Sequence, residues 1–166
     1  MNTMAQSVKN QTKQIFQNID ILFDAVPKEE FDTRKGGFLA WKHFYHLLHS
    51  IDQNFIDPGN YTEPDFQKKN LHVINIEDDN KLTKEDILKY YEKVKHKIQK
   101  YLNELTDKEL ESKIKFAERE FTKLELILAQ LRHIFFHIGY LHCCIKMEKG
   151  QTPEYIGLFN VLGASK

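Results

Sequence analysis

Apolar residues in this 166-residue chain recur at steps of three and four over four long stretches, a period that commits those stretches to amphipathic helices. Val8, Ile15, Ile19, Leu22 and Val26 form one stripe, on a helix expected from about Ala5 to Val26 and ended by Pro27. Ala40, Phe44, Leu47, Leu48, Ile51 and Phe55 form a second, on a helix from about Phe38 to Phe55 that Pro58-Gly59 stops. Ile87, Tyr91, Val94, Ile98, Tyr101 and Leu105 alternate steps of three and four, like the seam of a bundle helix. Leu124, Ile127, Leu131, Ile134, Ile138, Leu141 and Ile145 give the fourth stripe, with Gly150 and Pro153 as stop signals beyond it.

Helix starts are equally legible. Thr83 to Asp86, Thr106 to Glu109 and Thr122 to Glu125 each place a hydroxyl three residues before an acid, the pattern of a capping box. Phe121 and Leu126 flank the last of these at hydrophobic-staple positions. Between the helices, Lys28 to Gly37 reads as a loop closing on Gly36-Gly37, and Glu111 to Glu120 as a polar segment. Asn60 to Lys81 reads as irregular, with the acidic run Glu77-Asp78-Asp79 and a strand-like piece from Leu71 to Ile76 laid over the bundle. In the tail from Glu154 to Lys166, Tyr155, Ile156, Leu158 and Phe159 suggest packing back on the domain. Four long helices without a convincing strand pair predict an all-α fold, an up-down four-helix bundle, in a single domain over residues 1–166.

Charge narrows the function classes. Lys plus Arg equals Asp plus Glu at 24 each, which argues against a nucleic-acid footprint and against a polybasic membrane patch. A near-neutral surface is compatible with a homodimer. Cys143 and Cys144 are adjacent and bridge only with strain, so they read as reduced thiols. Met1 to Lys13 is polar, and no run approaches the roughly 20 apolar residues of a membrane span. The expected location is the cytoplasm.

The histidines carry the chemistry. Of eight, six fall in two short windows: His43, His46 and His49 on the second helix, and His133, His137 and His142 on the last. His133 and His137 are four apart, so both imidazoles face one side of a helix and can converge on a cation. His142 points elsewhere and reads as a non-ligand. On a helical wheel His46 lies opposite the apolar stripe and His49 nearer its edge, so periodicity favours His49 as the second-helix partner. Asp52, one turn beyond His49, is placed to orient a ligand through its distal nitrogen. Tyr45 is a candidate helper, and Trp41 and Tyr45 read chiefly as core or pocket wall. Gly139 suits a close helix approach or a loosened turn. The charge run from Lys95 to Lys100 reads as a solvated face.

Three motifs resemble the damage-inducible DinB-like metalloprotein superfamily, and the likeness covers nearly the whole chain. They are Ala40-Trp41 leading into His46-Leu-Leu-His-Ser-Ile-Asp52, then Gln130-Leu-Arg-His133-Ile-Phe-Phe-His137-Ile-Gly139, then Thr152-Pro-Glu-Tyr-Ile-Gly157. The resemblance implies an up-down bundle, often dimeric. It also implies one divalent ion, zinc or nickel, on a second-helix histidine together with His133 and His137. A histidine followed by a small apolar run and then Asp maps onto His46. The resemblance takes precedence over the wheel, giving His46, His133 and His137 as the expected ligands with His49 as second choice.

Some proteins of this resemblance transfer low-molecular-weight thiols, and others are isomerases or hydrolases. The leading expectation is a metal-dependent thiol transferase acting on a small-molecule substrate in detoxification or stress response. A metal-dependent hydrolase and a non-catalytic metal-binding or interaction bundle are the alternatives.

Overall fold

The computed structural model describes residues 3–76, 80–116 and 118–157. The acidic run Glu77-Asp78-Asp79 and the tail residues Leu158 and Phe159 lie outside the described residues. The long helices are α1 (Met4–Ala25), α2 (Ala40–Asn54), α3 (Lys84–Glu104) and α5 (Lys123–Lys149), with one short turn, α4 (Asp107–Leu110), between the last two. Each long helix lies within two residues of its expected boundaries, and Gly150 closes α5 in the left-handed region at φ 73°. No described helix is long and apolar enough to cross a membrane.

The capping boxes at Thr83 and Thr122 form in full. The one at Thr106 forms by half. Its hydroxyl accepts from the Glu109 N–H, but the Glu109 carboxylate turns to Lys123 Nζ at 2.6 Å, an ion pair that joins α4 to the start of α5.

Two small antiparallel hairpins correct the expectation of no strand pair. β1 (Arg34–Lys35) pairs with β2 (Phe38–Leu39) around Gly36 and Gly37, whose φ values of 61° and 97° are those a two-residue hairpin turn requires. A Cβ on Gly36 would also stand 2.5 Å from Cys144 Sγ and from Tyr140 Oη, so the close approach of α5 excludes any larger residue. This hairpin starts α2, whose cap residue Leu39 offers no side-chain acceptor. The Ala40 and Trp41 N–H groups donate instead to the carbonyls of Thr33 and Phe31, both at 2.9 Å. The second hairpin, β3 (Lys113–Phe116) with β4 (Arg119–Thr122), occupies the segment read as merely polar. Its Lys-Ile-Lys-Phe alternation was the period-two signal.

Helix α1 packs on α3 and α5, and α2 packs on the same two, so the order around the bundle is α1, α3, α2, α5. Consecutive helices α1 and α2 sit at opposite corners, which their long connection permits. They meet across the centre through an aromatic cluster: the Phe44 ring stacks on Phe23 at 4.3 Å and on Phe31 at 5.2 Å, and Tyr91 closes on Phe23 at 5.1 Å. Trp41 and Tyr45 are buried in the same core.

The described part of the connection from α2 to α3 is irregular, with a short 3-10 turn at Pro58–Asn60, and Leu71 to Ile76 forms turns and a bend rather than a strand. Leu71 is buried and pins this segment over the bundle. The described end of the tail packs back as expected: Asn18 on α1 donates to the Ile156 carbonyl at 3.0 Å and accepts its N–H at 2.8 Å. Open space surrounds Gly139, so no close approach occurs there. The solvated face on α3 is partly engaged, since Lys95 pairs with Asp20 and Lys97 with Asp52.

Candidate metal centre

Adjacent helices α2 and α5 bring three imidazoles together. His46 comes from the middle of α2, and His133 and His137 stand one turn apart on α5. One nitrogen from each lies within 4.8 Å of the others. The His46 ring centre is 5.4 Å from that of His133 and 4.7 Å from that of His137. The Nε2 atoms of His133 and His137 approach to 2.9 Å. A tetrahedral ion bound by imidazoles at about 2.0–2.1 Å sets its donors roughly 3.3 Å apart, so small side-chain rotations bring this group to that spacing.

Hydrogen bonds on the far side of two rings fix their tautomers. His46 Nδ1 lies 2.8 Å from the His72 carbonyl, which can only accept, so the proton sits on Nδ1 and Nε2 keeps its lone pair. Ser50, one turn after His46, directs its hydroxyl proton to Gln130 Oε1 at 3.2 Å. Its oxygen therefore accepts from His133 Nδ1 at 2.9 Å, which again leaves Nε2 bare. Burial pushes all three rings below the ordinary histidine pKa, His137 down to about 3; the nearby His46 ring adds to the shift of His133 and His137, and His72 to that of His46. Neutral imidazoles with lone pairs turned inward repel one another unless a proton or a cation sits between them. The donor set thus fits a borderline divalent ion.

Periodicity alone favours His49 on the second helix, but the structure groups His46, not His49, with His133 and His137. His49 turns away from the triad: its Nε2 bonds Glu63 at 2.8 Å, and its ring stacks on His72 at 4.2 Å and 6°. The wheel favoured it because it assumed a single buried face. Helix α2 is instead buried nearly all round, with His43 and Ser50 inside as well. Asp52 is a correction of the same kind. Its carboxylate accepts from Tyr90 at 2.9 Å and pairs with Lys97 at 2.6 Å, so it orients none of the three rings. Tyr45 donates to Gln67, outside the triad. His142 stays away as expected, with its ring edge-on to Tyr155. Cys144 is buried beside Gly36 and Tyr140, and Cys143 is exposed.

Sequence reasoning missed Ser50 and His72. Ser50 follows His46 by four residues and could have been found on the same helical face. The His72 carbonyl could not, because backbone groups in an irregular segment carry no side-chain signal.

A sequence model of the DinB superfamily matches residues 11–141, a stretch that holds His46, His133 and His137. The chain belongs to the DinB superfamily. No curated protein and no solved structure matches it individually. Within this DinB fold, the three histidines that converge are the set that the motif resemblance selected.

Proposed function

We propose that His46, His133 and His137 hold one divalent ion, zinc or nickel, and that the protein is a metal-dependent enzyme joining a small thiol to an electrophile. The observation that carries this reading is the convergence of three neutral imidazoles from two helices, two of them already anchored through Nδ1. An ion with three protein donors keeps a position for solvent or substrate and lowers the pKa of a water or thiol taken up there. The chain's own part is to hold its three Nε2 atoms inward in one protonation state. In the transfer, the thiol proton passes to solvent, sulfur forms the new bond to carbon, and the leaving group departs with the electron pair.

Thiol transfer is favoured over hydrolysis by the placement of Asp52. Hydrolysis calls for a base beside the ion, and the acid within the histidine windows is committed to Tyr90 and Lys97. The test is elemental analysis of purified protein together with a conjugation panel of glutathione-like, bacillithiol-like and cysteine donors. Near-stoichiometric metal with no activity toward any donor would favour a non-catalytic metal-binding bundle.

Two further outcomes are expected. His46→Ala lowers affinity for Zn(II) at least about 100-fold, whereas His49→Ala, outside the triad, lowers it no more than about tenfold. Titration calorimetry decides between them, and the reverse order would return the ligand role to His49. Chelation is expected to leave the helical circular dichroism largely intact at room temperature, because the apolar core runs from Ala5 to Ile145 without reference to the ion. Collapse of the helical signal on chelation would make the ion structural.

A further inference from the structure

Two of the three proposed ligand rings have their outer nitrogen held, His46 by the His72 carbonyl and His133 by Ser50. The outer nitrogen of His137 is different. Its Nδ1 is buried and, among the described residues, has no hydrogen-bond partner. Leaving such a group unsatisfied carries the uncompensated cost of its desolvation. Close to it stands a second imidazole of the same kind, His43, whose Nδ1 is also buried with no partner among the described residues.

His43 lies on α2 one turn before His46, is 1% exposed, and has its ring centre 6.5 Å from that of His137. The two unsatisfied atoms are of opposite kind. His43 Nε2 is 3.2 Å from the Lys35 carbonyl, which only accepts, so Nε2 carries the proton and Nδ1 is an acceptor. His137, once its Nε2 lone pair is turned to an ion, carries its proton on Nδ1 and is a donor. We propose that His43 is the positioning residue for His137: its Nδ1 accepts the His137 Nδ1–H, directly after a small ring shift or through one buried water.

This rests on the metal reading above, and it extends that reading to all three rings. The chain behind His43 is itself fixed. Lys35, whose carbonyl sets the His43 tautomer, is buried in the β1–β2 hairpin, and its ammonium bridges Glu30 and Glu148. Tyr140 packs over the His43 ring at 5.1 Å and donates to the Gly36 carbonyl. The hairpin that starts α2 thus governs, through one imidazole, the orientation of a ligand on α5.

The test has two arms. In the first, long-range ¹H–¹⁵N spectra of the protein, metal-free and zinc-loaded, report the imidazole tautomers. His43 is expected as the Nε2–H form in both states, and His137 as the Nδ1–H form when zinc is bound. A His43 proton on Nδ1 would overturn the inference.

In the second, zinc affinity and the visible spectrum of the cobalt-substituted protein are measured for three variants. His43→Asn keeps a polar atom near the Nδ1 position, His43→Gln keeps one near Nε2, and His43→Phe keeps neither. Affinity is expected to fall about 10–100-fold in His43→Gln and His43→Phe, with a changed cobalt spectrum, and to stay within about threefold in His43→Asn. Equal losses in Asn and Gln variants would make His43 a packing residue only. If His43→Phe fails to fold, the Asn–Gln pair still decides. An unsubstituted protein that binds no zinc would defeat the metal reading, while the His43 tautomer would still report on the hydrogen bond. Full zinc binding with an indifferent His43 would defeat the inference alone.

Discussion

Replacing His133 or His137 with alanine is expected to abolish stoichiometric metal binding and, with it, any thiol conjugation. On the proposed reading each substitution removes one of the three donors, and the two residues place their Nε2 atoms 2.9 Å apart. A site cut to two imidazoles offers an ion too few ligands to compete with solvent. The control is the cysteine pair. Cys143 is exposed, and Cys144 is buried against Gly36 and Tyr140, with burial pushing its thiol pKa up. Neither belongs to the histidine group. Cys143→Ser and Cys144→Ser are therefore expected to keep conjugation activity while His137→Ala loses it. Metal content by elemental analysis and turnover with a small electrophile, before and after chelation, provide the readout. Tight metal binding retained in the His133→Ala, His137→Ala double variant would sink the ligand assignment. Activity that survives metal removal but disappears with either cysteine would point to a protein-thiol nucleophile.

The largest effect on stability is expected at Phe44. Its ring is fully buried between Phe23 and Phe31, stacked on both, where α1 and α2 meet across the bundle centre. Phe44→Ala removes those contacts and leaves a cavity that rigid neighbours cannot close. The cost is about 3–5 kcal/mol, which for a chain of this size lowers the melting temperature by roughly 10 °C or more. Phe136→Ala, on α5 beside the site but 66% exposed, should change stability little by comparison. Thermal melts of metal-free protein separate this core effect from any contribution of the ion. A Phe44→Ala variant that melts within a degree or two of the unsubstituted protein would show that the aromatic cluster is not the centre of the core.

The long helices and their ends were legible in local period and local hydrogen bonding, although the period-two signal of β3 passed unread and the box at Thr106 formed only by half. Helices α1, α2, α3 and α5, the boxes at Thr83 and Thr122 and the stop at Gly150 follow from residues within one or two turns of each other. The pairing of His133 with His137 is likewise a one-turn relation. The choice of His46 over His49 came from motif resemblance, because a wheel sees a single helix and assigns it one buried face. Whatever depends on which element lies against which was fixed by packing instead. Helix α2 is enclosed on nearly every side by α3, α5, the β1–β2 hairpin and the segment before α3. The outward-pointing faces of the wheel were therefore covered, taking a half-buried His46 to α5 and leaving His49 with Glu63. The same enclosure sent Asp52 to Tyr90 and Lys97, and brought the His72 carbonyl to His46. These contacts join residues far apart in the chain, and burial sets their partners: a desolvated polar group must find one wherever the packing places it.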